Sequence, residues 1–258
     1  MNGARHLLEA WDQISARLAQ RDRVGLFADF DGTLAAIRRR PADVRLAAAT
    51  RRLLSACARR KVLVGIVSGR RLSDVKRLVG VRGIWYVGCH GYFFASPDNR
   101  RFRKVYRTEQ ERIARIRRQL QRALASEARI WVEPKDASLA VHYRGASRGS
   151  VRRAENVLRS LLASHRSLRL LSGRKVWEVL PAGRVDKWSA VRFITRQSRR
   201  RPHTLVFLGD DAGDECVFER LHGISVIVGR PRHTAARFWL RSPAEVRQFL
   251  KRCLRLWK

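Results

Sequence analysis

The sequence alternates short apolar runs with amphipathic stretches, and polar or Gly-rich residues follow each apolar run at once. Apolar runs of strand length lie at 24–28, 61–67 and 84–87, with a helical pattern at 44–60 between the first two. A further helix is expected from about Ser73, which is a plausible N-cap. Because strands that alternate with helices build a parallel sheet with crossover connections, we predict an α/β fold with a Rossmann-like parallel sheet.

The pattern changes in the middle of the chain, where strand pairs and helices no longer alternate singly. The predicted elements there are a hairpin at 92–106, a basic helix at 108–126, strands at 129–133 and 138–144, a helix at 149–164, and strands near 167–171 and 175–180. Such a segment is typical of a small α+β module. The α/β pattern resumes near Asp186. We therefore predict an α/β core at 1–105 and 184–258, which begins with a helix over 6–20 and is interrupted by an inserted domain at 106–183.

The chain is strongly basic: 56 Lys and Arg against 22 Asp and Glu give a formal net charge of +34. Such a charge fits a nucleic-acid or anionic-membrane partner, or equally an Arg-rich solvated surface. We favour the second interpretation, because the basic pairs are spread along the whole chain. No apolar run approaches the roughly 20 residues of a membrane helix. The four cysteines lack the spacing of a metal site, so we expect a cytoplasmic protein with reduced thiols.

Two dense acidic clusters contrast with this basic background, and both follow predicted strands, at 24–28 and at 204–208. One contains Asp29 and Asp31, and the other contains Asp210, Asp211 and Asp214. Ligands of such sheets bind at the carboxyl ends of the strands. Carboxylates that are brought together share a cation or take up protons, and hard oxygen ligands favour Mg²⁺. Helix capping explains one Asp in each loop, but it does not explain two clusters.

The first cluster has the residue types that phosphoryl transfer needs. One carboxylate can attack phosphorus, and a second can donate a proton and later accept one. Gly32 permits a tight turn, and Thr33 offers a hydroxyl and backbone N–H groups to phosphate oxygens. Ser68 and Lys187 are weak signals in isolation, typical of a turn and of a solvated lysine. Their order along the chain with the acidic clusters is the more specific observation.

This ordered series resembles the haloacid-dehalogenase-like phosphatases, and the finer pattern resembles the trehalose-6-phosphate phosphatases over nearly the whole chain. The matching pieces are Asp29-Phe-Asp31-Gly32-Thr33-Leu34, Ser68-Gly69-Arg70, Gly88-Cys89-His90-Gly91, Val132-Glu133-Pro-Lys135, Val141-His142-Tyr-Arg144, Trp177-Glu178-Val-Leu-Pro181, Asp186-Lys187 and Gly209-Asp-Asp-Ala-Gly-Asp-Glu215. The resemblance implies that the domain at 106–183 is a C2-type cap. It also implies a Mg²⁺-dependent phosphatase that acts on trehalose 6-phosphate.

The resemblance also implies roles for individual residues. Asp29 is expected to be the nucleophile and Asp31 the general acid/base, with Lys187 as the third catalytic residue. The expected metal ligands and supporting groups are Asp29, Asp31 (through its carbonyl), Asp210, Asp211 and Asp214. The expected phosphate-binding residues are Gly32, Thr33, Ser68, Gly69 and Lys187. The expected substrate-binding residues are Arg70 and His90 in the core, and Glu133, Lys135, His142, Arg144 and Glu178 facing the core from the cap.

Two alternatives stay open at this stage. A phosphatase of the same class could act on another sugar phosphate, and Cys89, Trp188 and Gly213 depart from the family pattern in ways that put sugar specificity in doubt. A basic nucleic-acid-binding protein with an incidental phosphatase site is the second alternative, although no reading motif accompanies the charge. From the residues alone, the alternation of Glu133 with Lys135 fits an exposed cross-strand charge pattern; the resemblance favours substrate binding.

Overall fold

The computed structural model describes residues 3–38, 40–103, 105–173, 175–183, 185–199, 202–229 and 233–257. Residue contacts divide the chain into two compact units. The first unit is Met1–Arg103 together with Val185–Lys258, and the second is Lys104–Arg184. Each unit has its own hydrophobic core. No helix in the described part of the chain combines the length and the apolar character that crossing a bilayer requires.

The strands and helices are numbered in chain order. The strands are β1 (Arg5–His6), β2 (Val24–Ala28), β3 (Leu63–Val67), β4 (Trp85–Gly88), β5 (Phe93–Ala95), β6 (Arg101–Arg103), β7 (Trp131–Pro134), β8 (Leu139–His142), β9 (Leu168–Gly173), β10 (Val176–Pro181), β11 (Thr204–Gly209), β12 (Ile224–Val228) and β13 (Phe238–Leu240). The helices are α1 (Trp11–Leu18), α2 (Ala48–Arg59), α3 (Leu72–Val79), α4 (Arg107–Ala123), α5 (Arg148–Ala163), α6 (Lys187–Gln197), α7 (Glu215–Phe218) and α8 (Pro243–Leu256).

The first unit is built on a sheet whose nine described strands have the order β1-β13-β12-β11-β2-β3-β4-β5-β6. In this order, neighbouring strands from β1 through β13, β12, β11, β2 and β3 to β4 are parallel. The hairpin β5–β6 then pairs with β4 in antiparallel orientation. The α/β class with a Rossmann-like parallel sheet is therefore confirmed. The predicted hairpin at 92–106 is also present, as the antiparallel pair β5 and β6 at the edge of this sheet.

Helices cover both faces of this sheet, as parallel strands require. Successive residues of a strand point to opposite faces, and β2 is buried throughout. Leu26 and Ala28 join one apolar cluster, with residues of α1, α2, α3 and α8. Phe27 joins the other, with residues of α6 and α7. The continuous apolar run at 24–28 is thus explained by burial on both faces.

The second unit has an antiparallel sheet in the order β7-β8-β10-β9. One face packs against α4 and α5 through an apolar cluster. That cluster includes Ile116 and Leu120 from α4, Ala154 and Leu158 from α5, and Leu139, Val141, Trp177 and Val179 from the sheet. The residues that alternate with these sheet residues point to the opposite face. The strand pairing therefore places Trp131, Glu133, His142 and Glu178 together on that opposite face.

Two sequence-based predictions about helix ends are wrong. The segment 6–20 is not one helix, because Arg5–His6 forms the edge strand β1, whose partner β13 is distant in sequence. Ser73 is not an N-cap, because α3 begins at Leu72. The backbone N–H groups of Asp74 and Val75 both donate to the carbonyl of Arg71, so the helical hydrogen bonds start before Ser73.

The packing of Phe27 gives a test of this core. A Cβ on Gly65 would lie 2.6 Å from Phe27 Cδ1, whereas a Cβ on Gly183 would meet nothing within 4 Å. Gly65→Ala is expected to lower the free energy of unfolding by about 1–3 kcal/mol, as overpacked cores do. Gly183→Ala, the matched control, is expected to leave it within about 0.5 kcal/mol. Urea unfolding measures both, and equal stability of the two variants would contradict the described packing.

Candidate active site

The acidic residues of the two sequence clusters lie at the carboxyl ends of neighbouring strands. Asp29 directly follows β2, and Asp210 directly follows β11. The two strands pair in parallel, with Leu208 opposite Ala28. The backbone N–H of Asp29 donates to the carbonyl of Leu208 at 2.8 Å, which extends this pairing to the site itself. Asp214 ends the short 3-10 helix that follows β11.

Lys187 joins two of these carboxylates through its ammonium group. Its Nζ donates to Asp29 Oδ1 at 2.7 Å and to Asp214 Oδ1 at 2.7 Å. All three side chains are buried, with Lys187 only 4% exposed. Burial by itself would lower the pKa of Lys187, but the charges of Asp214 and Asp29 outweigh it and hold that pKa well above its usual value. Lys187 is therefore a buried cation, in contrast to the solvated lysine that its position in isolation suggested.

Two carboxyl groups of the site have raised pKa values even with Lys187 present. Desolvation by burial is the largest cause for Asp29 and raises its pKa to about 7; Lys187 lowers it, while Asp214 and Asp31 raise it further. For Asp210, desolvation followed by repulsion from Asp29, Asp214 and Asp211 raises the pKa to about 9. The site therefore contains more carboxyl groups than the one lysine can keep ionised.

The three carboxylates fit a divalent cation. Asp29, Asp210 and Asp214 each offer an oxygen, and these oxygens lie within 4.8 Å of one another. Hard divalent cations take carboxylate oxygen ligands of this kind. A cation there would also offset the repulsion that raises the pKa values of Asp29 and Asp210. The donor set and the unbalanced charge thus agree, and we conclude that this cluster can hold a metal ion.

Two glycines permit the close approach of the carboxylates. A Cβ on Gly32 would lie 2.0 Å from Asp210 Oδ2, and Gly32 has a φ of +80°, which disfavours other residues. A Cβ on Gly209 would lie 2.3 Å from Cγ of Asp214. Asp214 Oδ2 in turn accepts the backbone N–H groups of Asp210 and Asp211, each at 3.1 Å. The acidic loop is therefore folded around the Asp214 side chain.

Asp31 and Asp211 have contacts apart from the Lys187 group. Arg70 donates from Nε to Asp31 Oδ2 at 2.6 Å and from Nη2 to Oδ1 at 2.7 Å. The same Nη2 donates to the carbonyl of Pro41 at 2.9 Å. Asp211 Oδ1 accepts the backbone N–H of Ala212 at 2.6 Å. The resemblance implied that Arg70 binds substrate, and the structure adds a bidentate contact with Asp31 that no sequence spacing indicated.

The hydroxyl and backbone groups expected at a phosphate are also at this edge of the sheet. Ser68 is buried directly after β3, and its Oγ accepts the backbone N–H of Arg70 at 3.2 Å. Gly69 lies between those two residues. The Oγ1 of Thr33 is buried and has no hydrogen-bond partner within the described residues. His90 has a left-handed φ of +57°, and its backbone N–H donates to the Ser68 carbonyl at 3.0 Å, which joins the loops after β3 and β4.

Two side-chain pairs lie on the face of the second sheet that is opposite α4 and α5, and their residues, Glu133, Lys135, His142 and Glu178, define the charged face of this unit. Lys135 Nζ donates to Glu178 Oε1 at 2.5 Å, and both side chains are buried, at 7% and 10% exposure. His142 Nε2 donates to Glu133 Oε2 at 2.8 Å. Burial alone would raise the pKa of Glu133, but the hydrogen bond from His142 and the charge of Lys135 outweigh it and lower that pKa. Cross-strand pairs do form here, but the Lys135–Glu178 pair is not a solvated one.

Two further observations complete this face. Arg144 is exposed, just beyond the end of β8. The indole of Trp131 stacks on the His142 ring, with centroids 4.0 Å apart and planes at 12°. Trp131 was not among the substrate-binding residues predicted from the sequence. It could have been predicted, because the alternation of side chains along a strand puts Trp131 on the same face of β7 as Glu133.

A parallel α/β sheet that brings an Asp-x-Asp-Gly-Thr loop, a buried lysine and an acidic loop to one edge is the arrangement of the haloacid-dehalogenase-like phosphatases. Comparisons with known proteins narrow the class. Residues 27–235 match the family model described as trehalose-phosphatase. The chain therefore belongs to the trehalose-phosphatase family, and it is a phosphatase of the phosphoric monoester hydrolase class.

Individual relatives agree with this family. A trehalose-phosphate phosphatase of Mycobacterium ulcerans is 34% identical over 97% of this chain, which spans 67% of that protein. A trehalose-phosphate phosphatase of Mycolicibacterium paratuberculosis is 35% identical over 88% of this chain, which spans 61% of that protein. The fold matches the C-terminal domain of the Candida albicans trehalose-6-phosphate phosphatase with a TM-score of 0.82 and 20% identity, over 98% of this chain and 99% of that one.

The charge of the acidic cluster predicts how stability depends on pH. The folded pKa of Asp210, about 9, lies above the unfolded value of about 3.9. Its protonated form therefore contributes stability below pH 4, and that contribution is lost as the pH rises towards 9. Asp210→Asn removes this loss. With EDTA present, the variant is expected to gain about 1 kcal/mol or more relative to wild type between pH 5 and pH 8.

Urea unfolding at the two pH values measures this difference. Asp12→Asn, on an exposed carboxyl of α1, is the matched control and should show no such gain. Addition of a divalent cation at pH 8 is expected to stabilise the wild type and to stabilise Asp210→Asn much less. A variant less stable than the wild type at pH 8 in EDTA would contradict the raised pKa of Asp210 that burial and neighbouring carboxylates produce.

Proposed function

We propose that this protein hydrolyses trehalose 6-phosphate to trehalose and inorganic phosphate, with Mg²⁺ as cofactor and an aspartyl-phosphate intermediate on Asp29. The buried contact of Lys187 with Asp29 and Asp214, beside the cation-binding carboxylates, is the observation on which the reaction type rests. Family membership and the charged face of the second unit support the choice of substrate.

The first step forms a bond from Asp29 to phosphorus. Lys187 holds Oδ1 of Asp29, so we expect Oδ2 to be the attacking atom. The bond between phosphorus and the sugar oxygen breaks, and the departing oxygen takes a proton from Asp31. In the second step a water oxygen attacks the phosphorus of the aspartyl-phosphate, Asp31 accepts the proton of that water, and Asp29 is released as a carboxylate.

Several residues support these steps through position and charge. Arg70 fixes the orientation of the Asp31 carboxylate with two hydrogen bonds, at the residue assigned to proton transfer. Ser68, Gly69, Thr33 and the backbone of Gly32 are the proposed phosphate contacts, with Lys187 offsetting the negative charge. Asp29, Asp210 and Asp214, with Asp31 through its carbonyl and Asp211 as a supporting group, would hold Mg²⁺, which supplies charge neutralisation for the phosphoryl group when bound.

The charged face of the second unit is the proposed sugar-binding surface. Glu133, Lys135 and Glu178 offer charged donors and acceptors of the kind that bind hydroxyl groups strongly, and the ring of His142 adds a polar nitrogen. Arg144 lies just beyond the end of β8, the strand that contains His142. His90 and Arg70 of the first unit are proposed to contact the substrate as well. Activity confined to trehalose 6-phosphate would separate this proposal from a phosphatase of another sugar phosphate.

Phosphate release from a panel of sugar phosphates, with and without Mg²⁺, tests the proposed function. The wild type is expected to act on trehalose 6-phosphate in preference to glucose 6-phosphate, and to stop when EDTA removes the cation. Asp29→Asn is expected to lose activity by about 10³-fold or more, since it lacks the nucleophile. Its circular dichroism spectrum should match the wild type. A folded Asp29→Asn protein with full activity would overturn the mechanism.

Substitutions in the second unit test the sugar contacts. Glu133→Ala and Glu178→Gln are each expected to raise KM for trehalose 6-phosphate by about tenfold or more, because each removes a charge-assisted hydrogen bond to the sugar. Glu127→Ala is the matched control, because Glu127 pairs with Arg153 away from this face of the sheet. Steady-state kinetics measures all three. An unchanged KM in both test variants would show that this face does not bind the substrate.

A further inference from the structure

Trp131 is an exposed aromatic side chain on the charged face of the second unit. Its relative exposure is 48%, whereas most large hydrophobic side chains of the described chain are buried. A single exposed hydrophobic residue needs no special explanation. Trp131 differs because its position is fixed by a partner, since it lies opposite His142 in the β7–β8 register and stacks flat on that imidazole.

The stack leaves one face of the indole available. The His142 ring covers one side of the indole at a centroid distance of 4.0 Å and an angle of 12°. With one side of the ring covered, the 48% exposure of this residue belongs to the opposite side and to the edge of the ring. His142 is itself held by its hydrogen bond to Glu133. The indole is thus a fixed, open, apolar plane.

Hydrogen-bonding groups adjoin this plane along the strands. Glu133 lies two residues after Trp131 on the same face of β7. Glu178 of β10 lies on that face too, on the other side of β8. Lys135 reaches Glu178 with its ammonium group. A pyranose ring has C–H groups on its faces and hydroxyl groups around its rim. An aromatic plane bordered by fixed charged donors and acceptors matches both parts, since ligand sites combine apolar walls with a few placed polar groups.

We propose that Trp131 is the stacking platform for a pyranose ring of the substrate and a determinant of its affinity. The inference rests on the proposed function, because it takes the charged face of the second unit as the sugar-binding surface. It adds a residue and a type of contact: an apolar one to the C–H face of the sugar, where the other residues of this face bind hydroxyl groups.

Kinetics of three variants test the platform. Trp131→Ala is expected to raise KM for trehalose 6-phosphate by about fivefold to tenfold, the cost of truncating a contact aromatic. Its kcat and the inhibition constant of inorganic phosphate should stay within twofold of the wild type (about 0.4 kcal/mol), because the reacting groups are unchanged. Trp131→Phe should restore most of the affinity. Tyr106→Ala removes another exposed aromatic of the same unit and should have no effect.

Fluorescence separates stacking from a structural role of Trp131. The product trehalose is the probe. The change in indole emission on addition of saturating trehalose is measured for the wild type and for Trp131→Phe, and the two changes are compared. A change in indole emission that is present in the wild type and absent in Trp131→Phe, while both bind trehalose, is expected from direct contact. Equal changes in the two proteins would place the sugar elsewhere and overturn the inference.

The outcomes distinguish the two proposals. A wild type that hydrolyses trehalose 6-phosphate, with an unchanged KM in Trp131→Ala, overturns the platform and leaves the proposed function intact. A KM in Trp131→Phe as high as that in Trp131→Ala also overturns it, because an aromatic plane would then not be what binds. A wild type that releases no phosphate from trehalose 6-phosphate overturns the proposed function, and the inference with it.

Discussion

The buried contact of Lys187 with Asp29 and Asp214 is the constraint on which the site depends. Removing charges from water costs several kcal/mol for each ion, and that cost is offset only by close, well-oriented partners. Lys187 is such a partner for two carboxylates, those of Asp29 and Asp214, which are 158 and 27 positions away from it in the chain. It thereby fixes the start of α6 against the carboxyl ends of β2 and β11. Loss of the ammonium group would leave two buried carboxylates without their shared cation.

The remaining charges of the first unit follow from that arrangement. Arg70 neutralises Asp31 through a bidentate contact, and its guanidinium is held in turn by the carbonyl of Pro41. The carboxyl groups that Lys187 and Arg70 do not keep ionised are Asp29 and Asp210, whose pKa values are raised to about 7 and about 9. The same carboxylates surround the position where a divalent cation fits. A chain with a net charge of +34 thus keeps a cluster of carboxyl groups at the position where a metal ion fits.

The sequence predicted the large elements well because their apolar patterns are long or continuous. The run at 24–28 coincides with β2, and the basic helix predicted at 108–126 is α4, at Arg107–Ala123. The strand β1 was missed, and the start of α3 was misplaced. The strand β1 consists of Arg5–His6 and exists through its pairing with β13, so no local pattern could indicate it. The start of α3 depends on hydrogen bonds to the Arg71 carbonyl, which took precedence over the capping preference of Ser73.

The residue types at the strand ends follow directly from the sequence: the Asp-x-Asp-Gly-Thr loop after β2, Ser68 after β3, and the acidic loop after β11. So does the alternation that puts Glu133 and Trp131 on one face of β7. Which carboxylate contacts which cation, in contrast, depends on how the chain folds. The pairing of Arg70 with Asp31, the burial of Lys187 and the stacking of Trp131 on His142 could not be read from spacing. Coulomb and desolvation energies depend on distances between residues far apart in the chain, and folding alone sets those distances.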